Sequence, residues 1–268
     1  GSNAGGSTLM FDGVNTDGVA GYYDVGAIEE MVVRAAGNDP EIATPGMTFQ
    51  TIVKSGGNQF HGMGLAAFQT KSMQGSNITD ELRAKGVSAG NRMDHYYDVN
   101  ASLGGRIIRD KLWFFTSARK KEYVDIPIGF ARDPGPDGKW FTGDEPPGKV
   151  KNSESSKKHP TGVKLRYQMT QKQQLSYMHF ANEKYFDGND ADQNHTGDSV
   201  HPQVHWNQIY NAEYTYFPTT NGIFNASFGN AGWYSRHVPN DTEGARTLQS
   251  AFDTVTLKWT GPGFDNKS

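Results

Sequence analysis

The chain has 268 residues and a formal net charge of −3, so it presents no overall basic surface for nucleic acid. Apolar residues make up only 35% and aromatics 12%, a balance that fits strands with one apolar face and long polar loops better than a compact helical enzyme. Cysteine is absent, which excludes disulfides, thiolate metal sites and thiol catalysis.

The chain opens on Gly1-Ser2-Asn3-Ala4, which reads either as a protease-cleavage scar or as a glycine-rich turn; under either reading the native N-terminus is expected upstream. Up to Lys54 the apolar segments are short and separated by turn residues such as Asp39-Pro40 and Pro45-Gly46. Ser55-Gly56-Gly57-Asn58 then reads as a flexible, turn-prone joint. Beyond it, strands are expected from near Phe60, Asp98, Leu112, Thr161, Gln174, His205, Ile223 and Phe252. Thr79 to Lys85 is the best helical candidate, with Thr79 as N-cap and a stop at Gly86.

Alternation with a period of two is clearest in four places. Val99, Ala101 and Leu103 oppose Asn100, Ser102 and Gly104. Val163, Leu165 and Tyr167 oppose Lys164, Arg166 and Gln168. Trp206 through Tyr216 sets Trp206, Tyr210 and Tyr214 against His205, Asn207, Asn211 and Glu213. Val255, Leu257 and Trp259 oppose Thr254, Thr256 and Lys258.

Connection lengths alternate as well. Arg109-Asp110-Lys111, Thr170-Gln171-Lys172-Gln173 and Pro218-Thr219-Thr220-Asn221-Gly222 are tight turns. Residues 71–93, 126–160, 186–204 and 236–248 are long connections, and Gly261 to Asn266 reads as another short turn. Aromatics gather near strand ends at Trp113-Phe114-Phe115, Tyr214, Tyr216, Phe217, Phe224, Phe228 and Trp259, as interfacial girdles do. No run reaches the roughly 18 apolar residues of a membrane helix, but barrel strands need only about 9–11 alternating residues. On pattern alone a membrane barrel and a soluble β-sandwich both stand.

Motifs in the first third bear on that choice. Leu9-Met10-Phe11-Asp12-Gly13-Val14-Asn15 resembles the "DGV" strand of TonB-dependent receptor plugs. Ala27-Ile28-Glu29-Glu30-Met31-Val32-Val33 resembles the plug strand that follows an acidic pair. Gly37-Asn38-Asp39-Pro40, Thr44-Pro45-Gly46 and Ile52 to Gly62 follow in the family's order, the last like its plug-to-barrel junction. Ala101 to Phe115 is similar to the family's "GGP-I-KDK-WFF" hairpin, with Arg106 where the family has proline. The resemblance covers roughly residues 9–115 and is nearest the large receptors with a carboxypeptidase-regulatory-like N-terminal domain.

That resemblance implies a mainly β fold: the C-terminal part of a plug domain in residues 1–57, then in 58–268 about eight N-terminal strands of an antiparallel transmembrane barrel that in the family has about 22. It implies an outer-membrane transporter, not an enzyme, driven by the TonB complex through a segment that lies outside this sequence. Outer-membrane lipid, lipopolysaccharide and an unidentified small or oligomeric substrate are the implied partners. The alternative is a non-transporting binding or structural subunit derived from such a receptor.

No catalytic, cofactor or metal residues are expected. Asp190, Asp192 and Asn194 have the first EF-hand spacings, but His195 replaces the glycine and His201 the final glutamate, so a solvated loop is the simpler reading. His201 and His205 share a strand face at about 13 Å, too far apart to chelate one ion. Lys149 to Lys158 reads as a basic solvated loop, and Glu29-Glu30, adjacent on a strand, cannot form a shared carboxylate dyad.

Overall fold

The computed structural model describes residues 8–16, 24–35, 47–87, 89–155, 162–237, 250–261 and 266–267. The turn signals at Asp39-Pro40 and Pro45-Gly46 lie outside them.

A small four-stranded sheet comes first, built from β1 (Thr8–Phe11), β2 (Val14–Asn15), β3 (Ile28–Arg34) and β4 (Thr48–Val53) in the order β2-β1-β4-β3. The "DGV" motif is a hairpin rather than one strand. Asp12 and Gly13 take φ of 48° and 85°, the left-handed pair that a two-residue turn of matching twist requires. β1 runs parallel to β4, and β4 antiparallel to β3.

The second sheet is antiparallel throughout. It comprises β5 (His61–Thr70), β6 (Arg92–Ile108), β7 (Leu112–Ile126), β8 (Val150–Ser155), β9 (Gly162–Thr170), β10 (Gln173–Asn189), β11 (His201–Thr219) and β12 (Gly222–His237). β13 (Ala251–Asp253) and β14 (Lys258–Thr260) form a separate hairpin, and β15 (Asn266–Lys267) pairs with the end of β12. The helix α1 (Asp80–Ala84) lies between β5 and β6, with Thr79 Oγ1 accepting from the Leu82 amide as its cap.

Register places the short turns together. The Lys111 carbonyl accepts from the Gln168 amide and the Lys172 carbonyl from the Phe217 amide, so three tight turns share one rim. The long connections 127–149 and 190–200 emerge at the other. The expected outward residues Val163, Leu165 and Tyr167 lie opposite Thr116, Phe114 and Leu112 on the face away from the small sheet. That face is an exposed apolar band, with Val99, Leu103, Leu175, Tyr177 and Phe228 all above 40% exposed. A sandwich would cover such a band; a barrel turns it to lipid.

Several expectations need correction. Of Lys149 to Lys158, Val150–Ser155 is not a loop but β8, which continues the sheet position of β9, both lying between β7 and β10; 156–158 lie outside the described residues. Its sequence, VKNSES, hides a strand because neither face is apolar.

Thr254 to Leu257 is not part of a strand; only Lys258 and Trp259 of the expected stretch are, in β14. Asp253 accepts from the Val255 and Thr256 amides and from the Thr256 hydroxyl, which bends the chain, and Leu257 takes a φ of 57°. The eighth sheet position therefore belongs to β15, and Asn266, expected in a short turn, lies at the long-connection rim beside His237. Trp259 stacks on Phe252 and His195 in a connection, outside any girdle. Trp113 and Phe115 turn inward, leaving Phe114 on the outer face.

Candidate functional site at the seam between the two sheets

The small sheet sits against the wall formed by the second sheet. One apolar cluster joins them: Phe11, Val14, Ala27 and Val53 from the small sheet meet Phe115, Met178, Phe180 and Ile209 from the wall. Phe11 packs edge-on to Phe180 with ring centroids 5.7 Å apart. Burial of this cluster supplies the cohesion, at about 1.5–3 kcal/mol per large side chain.

Around that cluster the wall's inner face is polar. Lys164 and Arg166 project to it as alternation requires. Lys164 Nζ lies 2.5 Å from Asp12 Oδ2 and 3.2 Å from the Val53 carbonyl, and both charged side chains are less than a fifth exposed. Asn211 Nδ2 donates to the Asp12 carbonyl at 3.0 Å. The β1–β2 hairpin thus ends in a latch to two wall strands, β9 and β11.

A second latch lies at the start of β3. Asp24 caps a short 3-10 turn by accepting from the Gly26 amide and also accepts from Asn100 Nδ2 of β6 at 2.6 Å. Beside it Asp98 and Arg119 form a two-pronged pair at 2.9 and 2.6 Å, the fork geometry of guanidinium and carboxylate.

The joint is anchored rather than free. Asn58 Oδ1 accepts from the Asp110 amide and from Trp113 Nε1, its Nδ2 donates to Asp110 Oδ1, and its carbonyl accepts from Arg106. A Cβ on Gly56 would sit 2.1 Å from the Phe114 carbonyl oxygen. The glycine therefore permits backbone contact with β7, and turn chemistry was read where close packing was the requirement. Arg166 reaches the Gly56 carbonyl at 3.3 Å while its guanidinium covers the Trp113 ring at 5.0 Å.

Two cavities lie toward the long-connection rim. One of about 380 Å³ is lined by Met93, Tyr96, Lys121, Tyr123, Asn152 and Glu154. Another of about 400 Å³ lies among the connections, lined by Phe130, Trp140, Phe141, Gln193, His195 and Lys258. Lys258 Nζ stands 4.5 Å over the Phe141 ring and donates to the Gln193 carbonyl. At its edge Glu145 is held below the usual carboxylate range by backbone N–H donors, its own first and then that of Thr142. It is a tie for the connection rather than a proton donor.

The acidic connection does not gather its oxygens. Asp187 accepts from Arg132 and from the Lys151 amide, Asp192 from the Asn194 amide and His195, and Asp190 from Asn189. No group of three or more His, Asp or Glu side chains that could hold a metal ion occurs among the described residues. His201 and His205 do not pair; His201 instead meets His237, which lies far off in sequence and which sequence reasoning did not single out.

No protein-family model matches the chain. The TonB-dependent transporter Oar of Myxococcus xanthus is 28% identical over 123 residues, a stretch covering 43% of this chain and 11% of that protein. The crystal structure of the siderophore receptor PirA from Acinetobacter baumannii shares the fold at a TM-score of 0.52 and 11% identity, over 98% of this chain and 35% of the receptor. The chain thus spans about a third of the solved receptor and a smaller share of the curated relative. Its ordered motifs, its small sheet seated on an antiparallel wall and these two likenesses make the chain similar to TonB-dependent receptors.

Proposed function

We propose that the chain serves energy-coupled uptake of a substrate across the bacterial outer membrane. In this reading residues 1–57 are plug and 58–268 are wall. The apolar outer band meets lipid, the short turns face the periplasm, and the long connections face outward and receive the substrate in the cavities near their rim. Coupling to a TonB complex would open the seam. The observation that carries the reading is the seam itself: an apolar cluster flanked by ion-pair and side-chain latches, all between the two sheets.

The test needs no knowledge of the substrate. These 268 residues lack cysteine, so a Val14→Cys substitution places one buried reporter at the seam, read against the parent protein without it. In energised cells it should react with a maleimide, and collapsing the proton gradient with a protonophore should protect it. Equal labelling with and without the gradient would defeat the proposal.

A further inference from the structure

At the long-connection rim, three strand ends converge on the wall's inner face. His201 opens β11, His237 closes β12, and Asn189 closes β10. The β11–β12 register is unbroken from Gln203–His237 to Tyr216–Phe224, so His237 shares the face of Ala231, which packs on the seam cluster. His201 Nε2 and His237 Nδ1 lie 2.9 Å apart. Gln203 Nε2 lies 2.7 Å from the other nitrogen of His237.

From this geometry we propose that His201 and His237 form a two-imidazole clamp for a late divalent transition ion, with Cu(II) fitting the clamp. Imidazole suits copper and zinc, and copper heads the divalent affinity order. Metal–nitrogen bonds of about 2.0–2.1 Å place neighbouring ligand atoms roughly 2.9 Å apart at a right angle and roughly 3.3 Å apart in a tetrahedron. The observed separation is that of the hydrogen bond between the rings and equals the first, so a tilt of the rings would bring both nitrogens onto a square-planar ion and a small opening would admit Zn(II).

The proton count closes without loss. In the metal-free pair one ring nitrogen donates to the other, and Gln203 can donate to His237 Nε2 only if the proton sits on His237 Nδ1. When the ion binds both facing nitrogens, that proton moves to His237 Nε2. Gln203 turns its amide so that its oxygen accepts the proton, the outer support that metal-bound histidines require. Asn189 Nδ2 lies 3.5 Å from His201 Nε2 and 3.1 Å from Asp190 Oδ2, so the remaining coordination positions are left to water.

The experiment uses the protein purified in detergent with a histidine-free affinity tag, titrated with Cu(II) against a weak competing chelator and read by electron paramagnetic resonance. One ion per chain with superhyperfine coupling to two nitrogens is expected. His201→Ala and His237→Ala should each abolish that signal, and Gln203→Ala should weaken binding by about 10–100-fold. His205→Ala should leave it intact, and heat-modifiable migration in SDS gels checks that each variant has folded. Absence of stoichiometric copper in the wild type, or persistence of the two-nitrogen signal in His201→Ala/His237→Ala, would overturn the clamp.

Discussion

Replacing Lys164 with methionine probes the seam most directly. The change keeps the length of the side chain and removes its charge, leaving Asp12 a part-buried carboxylate whose remaining side-chain contact is the Val53 amide at 3.4 Å. It also removes the donor to the Val53 carbonyl. Breaking one side of a buried ion pair costs about 3–5 kcal/mol. The lower end applies here, because a cavity of about 310 Å³ lined by Asp12, Lys164 and Asn211 adjoins the pair and lets water reach the orphaned carboxylate. A loss of about 3 kcal/mol shifts the open-to-closed ratio of the seam by roughly a hundredfold, at 1.4 kcal/mol per factor of ten. The assay is the labelling rate of a Val14→Cys reporter in detergent, where reclosing is fast relative to reaction. That rate should rise by about two orders of magnitude. Adding Asp12→Asn should recover most of the loss, since the double variant no longer buries a lone charge. A rate change under threefold, or a double variant as open as the sum of the singles, would refute the latch.

Other outcomes follow from the same geometry. Gly56→Ala should block assembly, seen as loss of the heat-modifiable band, because its Cβ would fall far inside van der Waals contact with the Phe114 carbonyl. Val14→Cys with Gly229→Cys should form a disulfide on oxidation, since a Cβ at Gly229 lies 2.6 Å from Val14 Cγ2. Uptake should stop in the oxidised protein and return on reduction. Leu165→Arg should destabilise the folded protein by about 2–4 kcal/mol in lipid vesicles if the site lies at the bilayer midplane. Cysteines in the 190–200 connection should react with an impermeant reagent on intact cells and a cysteine at Asp110 should not; the reverse would invert the orientation.

Sequence made the wall legible and parts of the seam illegible, for one reason. Alternation reports which side of a strand is apolar, so Val163, Leu165 and Tyr167 separated cleanly from Lys164 and Arg166. It reports nothing where both faces are polar, and β8 was invisible for that reason. It misleads where a capping side chain bends an alternating stretch, as Asp253 bends residues 254–257. Trp113 and Phe115 looked like girdle residues because their composition matches one; their direction depends on the register with β6 and β9. Asn58 and Gly56 were recognised as turn chemistry, but their partners lie some fifty positions onward in the next hairpin. The His201–His237 contact depends on pairing across 36 positions, beyond any local pattern.

The composition of the seam bears on how the small sheet can be both secure and releasable. A wall presenting only leucine and valine would hold the small sheet as firmly as a protein core, at about 25 cal/mol per Å² of apolar area. Here the apolar cluster is confined to a patch, and Asn100, Ser117, Asn207 and Asn211 surround it on the wall's inner face, all buried. The bonds from Asn100 to Asp24 and from Asn211 to the Asp12 carbonyl fix where the small sheet sits, because a shifted register would break both. Their net worth is modest, about 0.5–1.5 kcal/mol each, since water takes over when the sheets part. The ion pair at Asp12 behaves the same way: costly to break by deleting one partner, far less costly to separate into water with both charges intact. A pulling force applied to the small sheet therefore meets its main resistance at the eight-residue apolar cluster. The polar surround would then rehydrate with little further cost, and its directional bonds would guide the sheet back into register on release.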